Sequence, residues 1–442
     1  MDVIALGVGV NGLDRCGEVK YVEPAFEFLR QHCAVEIDHY LVAFLLVASI
    51  SILIGLEIPL VTRILRNYHN LKDALANILA VDYLGALVAS ILFPIVLLPY
   101  LGIMKTGFFV GVLNVAIGFL TATQFKSRIT SYNRFLCISL ACLFFLAVGC
   151  FYSFRLVNFF EAFLYQDQII LAKQTPYQRI VVTKHKDDVR LFINGSIQFS
   201  SVDEYRYHEP LVHIPLNAAP VPEHVLVLGG GDGLAIREIV KFRQVKKITL
   251  VDLDPEMVSL ARNNQVFAKL NRGALEDPRV TIVTEDAHKF IQNSTELYSV
   301  VIIDLPDPND LSLGKLYAKE FYERIKLRLS ADGILITQSS SPYFARKAFW
   351  SINNTLAAVF NNVSPLQVYV PSFGPWGFNI ASNIGYDFSK VKLRAPTRYL
   401  TPELLPTLFV FDADTESLPV EVNRLDNQVL VRYYERGWDE WN

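Results

Sequence analysis

The side chains best suited to chemistry in this 442-residue sequence are carboxylates, and they fall in two short runs. One is Asp232, set inside Gly229-Gly230-Gly231-Asp232-Gly233; the other is the pair in Asp304-Leu305-Pro306-Asp307-Pro308. Glycines let a backbone approach a ligand closely, so an acid planted among them addresses a cationic group on whatever binds. Asp304 and Asp307 are held apart by one leucine and one proline and closed off by a second proline, which makes a stiff anionic pocket. One carboxylate of such a pocket can hold an ammonium, while the other accepts the proton that an attacking amine must lose. The chemistry implied is nucleophilic attack by an amine, with Asp304 as the proton acceptor.

These runs need elements to position them. From Pro222 onward, apolar strands at 225–228, 248–251, 280–283, 300–303 and 334–337 alternate with helical segments. This pattern predicts an α/β fold, a Rossmann-like doubly wound and mostly parallel sheet. Gly229 and Gly231 then lie in the turn after the first strand, at the start of a helix from about Leu234, whose unpaired N–H groups face a ligand. Asp252 ends the second strand, where an acid can accept hydrogen bonds from ribose hydroxyls. The loop does not match Gly-x-Gly-x-x-Gly, so a dinucleotide fits poorly and an adenosine carrying a sulfonium fits better. Glu285-Asp286-Ala287, after the third strand, is placed to meet the adenine. A carboxylate at Asp232 repels the amino-acid carboxylate of S-adenosylmethionine and favours a ligand bearing only a cationic amine, which describes decarboxylated S-adenosylmethionine. The plainer role for Asp232 is to cap the following helix. Asp304, at the end of the fourth strand, points into the crevice where such folds bind ligands.

A small β subdomain is expected upstream, with runs at 179–183 and 189–193 and the hairpin turn Asn194-Gly195 before Ile197-Gln198-Phe199. Gln198 and Tyr207-His208-Glu209 could close the other side of the pocket. His208 shows no partner at this level, and a lone histidine is more often structural, so the base is assigned to Asp304.

Before about residue 155 the chain is different. The whole sequence is 52% hydrophobic, and the excess lies in four apolar stretches, 41–61, 75–101, 106–123 and 135–154. Each is long enough to cross about 30 Å of hydrocarbon as a helix. Glu57 and Asp82 fall inside them; acids at membrane depth are functional candidates, or else reach headgroups or a neighbouring helix. Residues 1–10 lack the basic flank of a cleavable signal peptide. A formal net charge of -3 without a basic block excludes a nucleic-acid binder. Five cysteines form neither a disulfide framework nor a metal-ligand spacing. The division expected is a transmembrane region over 1–154, the β subdomain over 155–220, the Rossmann-like domain over 221–390 and a C-terminal extension over 391–442.

With these residues assembled, the sequence from about Gln174 onward resembles the spermidine synthase family of polyamine aminopropyltransferases. The resemblance is carried by Tyr177-Gln178, Asn194-Gly195-Ser196-Ile197-Gln198, Asp203-Glu204-Tyr205-Arg206-Tyr207-His208-Glu209, Gly229 to Gly233 and Asp304 to Pro308. The apolar half is similar to the bacterial membrane-bound branch, in Gly55-Leu56-Glu57-Ile58-Pro59-Leu60 and Asp82-Tyr83-Leu84-Gly85-Ala86-Leu87. The resemblance implies that Gln178, Asp252, Asp286 and the glycine loop bind decarboxylated S-adenosylmethionine as co-substrate, with Asp232 on its aminopropyl amine. It implies Asp304 as proton acceptor and Gln198, Tyr207, Asp307 and Gln338 around the acceptor amine, putrescine first among candidates; methylthioadenosine would leave. Soluble members usually carry Asp-Ser-Ser-Asp-Pro where this chain has Asp304-Leu305-Pro306-Asp307-Pro308. Their Tyr-Pro-Ser-Gly segment is replaced by Pro371-Ser372-Phe373-Gly374-Pro375-Trp376-Gly377. Both departures fall on the acceptor side.

Two other readings use the same residues: a methyltransferase acting with intact S-adenosylmethionine, and a non-enzymatic membrane protein that binds polyamines and passes them to Glu57 and Asp82. A homo-oligomer is compatible with the sequence and not specified by it. The basic links holding Arg63, Arg66 and Lys72 and Lys126, Arg128 and Arg134 lie on one face of the bilayer. The positive-inside rule would place them in the cytoplasm and the catalytic half outside. The co-substrate is made in the cytoplasm, and the expectation adopted is a cytoplasmic catalytic domain on a multi-pass cell-membrane anchor.

Overall fold

The computed structural model describes residues 44–56, 59–63, 71–126, 129, 131–165 and 167–441. Glu57, Arg66 and Arg128 lie outside the described residues. The chain divides into two compact units, Met1–Leu98 and Pro99–Asn442.

In the first unit, helices cover Phe44–Arg63 and Leu71–Leu92, the latter running on through a π-helical turn at Phe93–Leu97. The turn widens where Pro94 supplies no N–H to the helical ladder. Asp82 lies on the second helix and is exposed.

Helix Leu98–Gln124 begins on the last residue of the first unit and runs on into the second, where helix Tyr132–Leu164 follows. Four helices in all are long and apolar enough to cross a membrane: Phe44–Arg63, Leu75–Leu97, Met104–Gln124 and Tyr132–Ser153, with mean hydropathies of 2.4, 2.1, 1.7 and 2.4. Gly102, at φ 72° and ψ 169°, breaks the helix just past the apolar stretch at 75–101 and sets off the third span. The third and fourth spans meet at glycines. A Cβ on Gly149 would strike the Phe108 ring, and one on Gly111 would lie 3.2 Å from Leu146, the small-residue packing expected of helices in lipid.

Next comes a four-stranded antiparallel sheet of β1 (Gln168–Gln174), β2 (Arg179–His185), β3 (Asp188–Ile193) and β4 (Ser196–Ser200), in sequence order. Asn194 and Gly195 turn the β3–β4 hairpin with positive φ values of 50° and 87°, the combination a two-residue type I′ turn demands. Its apolar face, Ile180, Val182, Leu191 and Phe199, packs on Leu234, Met257 and Phe267, so the small sheet is seated on the helices of the large one.

The large sheet holds β5 (His224–Gly229), β6 (Lys247–Asp252), β7 (Val280–Thr284), β8 (Tyr298–Asp304), β9 (Leu329–Gln338), β10 (Asn362–Val370) and β11 (Gly374–Ser382). Its order is β10-β11-β9-β8-β5-β6-β7. Strands β5 to β9 run parallel, with near-continuous apolar sequences because both faces are covered; β10 and β11 add an antiparallel hairpin at one edge. The chain winds from β5 through β6 to β7, then returns to the other side of β5 as β8. A crevice opens where the order reverses, and in the β5–β8 register Gly229 is the partner of Asp304. The two runs far apart in sequence are neighbours here.

Two findings modify the expected division. The helix Tyr205–Ala218, on the β-subdomain side of residue 220, buries Leu211, Val212, Ile214 and Leu216 against the large sheet. The segment after 391 is not an appendage: Leu400, Leu405 and Leu408 join the core on one face, and Leu430 of helix Val429–Asp439 joins it on the other.

Candidate active site

The crevice is a cavity of about 450 Å³, closed on one side by the small sheet and on the other by the segment carrying Phe373 and Trp376. Gln178, Gln198, Tyr207, His208, Gly229, Gly231, Asp232, Asp252, Asp286, Ala287, Asp304, Asp307 and Gln338 all line it. The walls hold eight carboxylates and, among the described residues, neither lysine nor arginine; His208 is the sole basic side chain.

Gly229 sits at φ +81°, and a Cβ there would run into the Asp304 carbonyl. Asp252 receives the Gly231 N–H on Oδ2 at 3.0 Å and the Asp254 N–H on Oδ1 at 2.9 Å. A Cβ on Gly231 would collide with the same carboxylate, so the loop can lie against β6 only as glycine. Asp232 does cap the next helix, accepting the Leu234 N–H at 2.8 Å, and lines the cavity as well. Asp304 Oδ1 accepts the Tyr207 hydroxyl at 2.6 Å.

Burial in a wall of like charge works against ionisation. It pushes Asp232 and Asp252 up to about 6, with the neighbouring Asp304 charge adding to both. Burial also raises Asp307 to about 6, although hydrogen bonds from Tyr434 and Gln338 pull it back. Asp304 is raised by burial, with His208 and the Tyr207 hydroxyl opposing the shift. Asp232, Asp252 and Asp307 thus hold their protons more firmly than ordinary carboxyls do, and a cation entering the cavity favours their charged form.

Several expected contacts take a different form. Gln338 is buried and spent on the protein. Its amide nitrogen lies 2.7 Å from Leu305 O, 3.3 Å from Asp307 Oδ1 and 2.6 Å from the Tyr317 hydroxyl, and its oxygen accepts the Ser340 N–H. It therefore braces the 304–308 turn. Asp286 is occupied by the Lys289 N–H and by Lys315 at 3.1 Å. Gln178 donates to Asp254 at 2.8 Å. His208 is not partnerless: its Nδ1 lies 2.9 Å from Glu204 Oε2.

Sequence reasoning passed over Asp254, Tyr317 and Tyr434, and named Asp203 only within the motif that carries the resemblance, with no role of its own. Asp254 also takes the Thr175 hydroxyl at 2.8 Å and so ties the small sheet to the crevice. Tyr434, from the C-terminal helix, hydrogen-bonds Asp307, and nothing local in sequence pairs residues so far apart. Asp203 holds the segment with Phe373 and Trp376 by accepting the Ser372 N–H at 2.7 Å and its hydroxyl at 3.0 Å. Replacing it by alanine removes both hydrogen bonds to a part-buried segment, at a cost of about 1–3 kcal/mol. In an Asp203→Ala variant, steady-state kinetics should show the KM for the amine rising about tenfold while donor affinity stays unchanged; equal losses for both substrates would refute this division.

Fold and crevice together define a Rossmann-like transferase domain with an acidic site. A spermine/spermidine synthase domain profile matches residues 204–391. The chain is 46% identical over 396 residues to the polyamine aminopropyltransferase of Leptospira interrogans, covering 90% of this chain and 79% of that one. It is 43% identical over 408 residues to polyamine aminopropyltransferase 2 of Ralstonia nicotianae, again covering 90% and 79%. Among solved structures, a spermidine synthase in complex with the transition-state analogue AdoDATO superposes with a TM-score of 0.52 at 27% identity, over 55% of this chain and 86% of that one. The Thermotoga maritima spermidine synthase gives 0.51 at 26% identity, over 55% and 85%. The chain belongs to the polyamine aminopropyltransferase family, and it is an enzyme of that class.

Proposed function

We propose that this enzyme transfers the aminopropyl group of decarboxylated S-adenosylmethionine to a diamine, putrescine foremost, and releases methylthioadenosine. The observation that carries the reading is the wall of eight carboxylates with, among the described residues, neither lysine nor arginine. It suits a donor with a sulfonium and an ammonium and an acceptor with amines, and it opposes the extra carboxylate of intact S-adenosylmethionine.

The adenosine lies along the ends of β5, β6 and β7, its ribose hydroxyls on Asp252 and its adenine beside Asp286 and Ala287. Gln178 borders the same side. The glycine loop gives it room, and Asp232 takes the aminopropyl ammonium. The acceptor enters between Gln198, Tyr207 and Asp307, with Gln338 holding the Asp307 turn. Its amine nitrogen attacks the methylene bonded to sulfur; the C–N bond forms as the C–S bond breaks, and the bonding pair returns to sulfur as a neutral thioether. The proton shed by the nitrogen goes to Asp304. Its raised affinity for protons fits a base, and the Tyr207 hydroxyl fixes which oxygen remains free. Calorimetry with both donors tests the reading: decarboxylated S-adenosylmethionine should bind more tightly by at least about tenfold, and equal affinity would favour a methyltransferase.

The shifted acids add a pH signature. Asp232, Asp252 and Asp307 ionise near 6 in the fold and near 3.9 when unfolded. Between those values the folded state binds more protons, so their contribution to stability grows as pH falls through that window and is lost as pH rises to 6 and above. A dicationic donor reverses the balance by favouring the charged acids. Titrations at pH 6 in buffers of different ionisation heat should show proton release on donor binding, absent at pH 8; proton uptake at pH 6 would contradict the assignment.

The four apolar helices support anchoring in a bilayer, and the cytoplasmic supply of donor supports a catalytic domain facing that side. In sealed inside-out vesicles protease should remove the domain; protection there, with digestion in right-side-out vesicles, would place it outside.

A further inference from the structure

The turn that presents Asp304 and Asp307 is held from outside. Pro306 and Pro308 bring no N–H, and the carbonyls of Leu305 and Pro306 take hydrogen bonds from two distant side chains, Tyr317 and Gln338. Gln338 ends β9. Tyr317 ends the 3₁₀ turn Lys315–Tyr317 and is fully buried, its ring in the core that also holds Leu228, Ile303 and Phe321. Between the turn and the tyrosine the chain lines the cavity at Asn309, Asp310, Ser312 and Leu313. The hydroxyl therefore ties the two ends of one wall segment together.

The available protons fix the direction of each bond. The Ser340 N–H can only donate, and it meets the Gln338 side-chain oxygen at 3.0 Å, which leaves the Gln338 nitrogen facing the turn with two protons. Three acceptors surround that nitrogen: the Tyr317 hydroxyl at 2.6 Å, the Leu305 carbonyl at 2.7 Å and Asp307 Oδ1 at 3.3 Å. The two short contacts take the two protons. The Tyr317 oxygen, having accepted one, sends its own single proton to the Pro306 carbonyl at 3.0 Å, because Leu305, at 3.2 Å, is already served by Gln338. Asp307 is left with the long contact. It keeps the Tyr434 hydrogen bond and, with about four lone-pair sites on its two oxygens, has room for an ammonium.

We propose that Tyr317 is a positioning residue for the acceptor amine: its hydroxyl closes a circuit with Gln338 that fixes the turn and keeps the Gln338 amide engaged on backbone, so that Asp307 faces the cavity ready for a cation. For one point, that Asp307 holds the acceptor, this rests on the reading given above. Without the hydroxyl, the Pro306 carbonyl loses its donor and one Gln338 proton loses its acceptor. The nearest acceptor left for that proton is Asp307 Oδ1, where it competes with the amine. Asp252 and Asp232, bonded to the glycine loop and the helix after it, take no part in the circuit, so the donor side is spared.

Full-length Tyr317→Phe, which fills the same buried space, tests this. With methylthioadenosine saturating the nucleoside site, calorimetry should show putrescine binding about tenfold more weakly to the variant than to the wild type, the loss of about one hydrogen bond, while methylthioadenosine binds both within about twofold. In steady-state kinetics the amine KM should rise by a similar factor, with kcat and the donor KM within about threefold. Gln338→Met opens the same circuit from its other end and should also weaken the amine and not the nucleoside; it supplies the reading if Tyr317→Phe does not fold. Combining the two should add little to either alone. Unchanged amine affinity in Tyr317→Phe, fully additive losses in the double variant, or equal losses for amine and nucleoside would overturn the proposal. A wild type that binds methylthioadenosine but no amine would instead defeat the acceptor assignment beneath it, a failure visible before any variant is made.

Discussion

Asp304→Asn should lower kcat by about 10²- to 10⁴-fold while leaving donor affinity within a few-fold. Asparagine is nearly isosteric, and its carbonyl oxygen can still accept the Tyr207 hydroxyl that now lies 2.6 Å from Asp304, so the turn and the cavity should persist. What disappears is an acceptor for the proton of the attacking nitrogen. Raising the pH should restore part of the rate, because more of the amine then arrives unprotonated. Single-turnover measurements with bound donor separate chemistry from binding; a variant that keeps full kcat would remove Asp304 from the proton-transfer step.

The second large effect concerns the choice of donor. Asp232→Asn keeps a side-chain oxygen for the Leu234 N–H, 2.8 Å away in the wild type, but deletes the charge meant for the aminopropyl ammonium. A charge-assisted contact in a buried site contributes about 1.5–3 kcal/mol, so kcat/KM for decarboxylated S-adenosylmethionine should fall by about 10- to 100-fold. Intact S-adenosylmethionine should bind more tightly than it does to the wild type, because the repulsion is gone. Competition binding with both donors checks this, and parallel losses for the two would show that Asp232 only caps the helix.

Much of the architecture was legible because the residues that form it repeat a simple rule. Strands β5, β6 and β8 are largely apolar runs ending in Gly229, Asp252 and Asp304, and a doubly wound sheet gathers such ends at one edge. Asn194-Gly195 announced its hairpin because both residues tolerate positive φ. Strands β10 and β11 carry no such signature: Pro365 interrupts one and Gly374-Pro375 opens the other, and both are strands because β9 offers an edge to pair with. Strand β1 follows directly on an apolar helix, so its short apolar run does not stand out. The site was legible as a set of cavity walls and less so as a set of contacts. Gln338 looks like a ligand in sequence, yet its amide is consumed by Leu305, Asp307 and Tyr317. The partner of His208 was four residues upstream, at the spacing that places side chains on one helical face, so a signal for it was present. Tyr434 on Asp307 and Asp203 on Ser372 join residues more than a hundred positions apart, and only the folded chain brings them together.

The central claim is tested most directly by incubating the purified full-length protein with decarboxylated S-adenosylmethionine and a panel of amines, and identifying the products by mass. The expected result is an acceptor lengthened by one aminopropyl unit, formed in equal amount with methylthioadenosine and abolished in Asp304→Asn. No product with any amine, or a methylated product formed from intact S-adenosylmethionine instead, would contradict it.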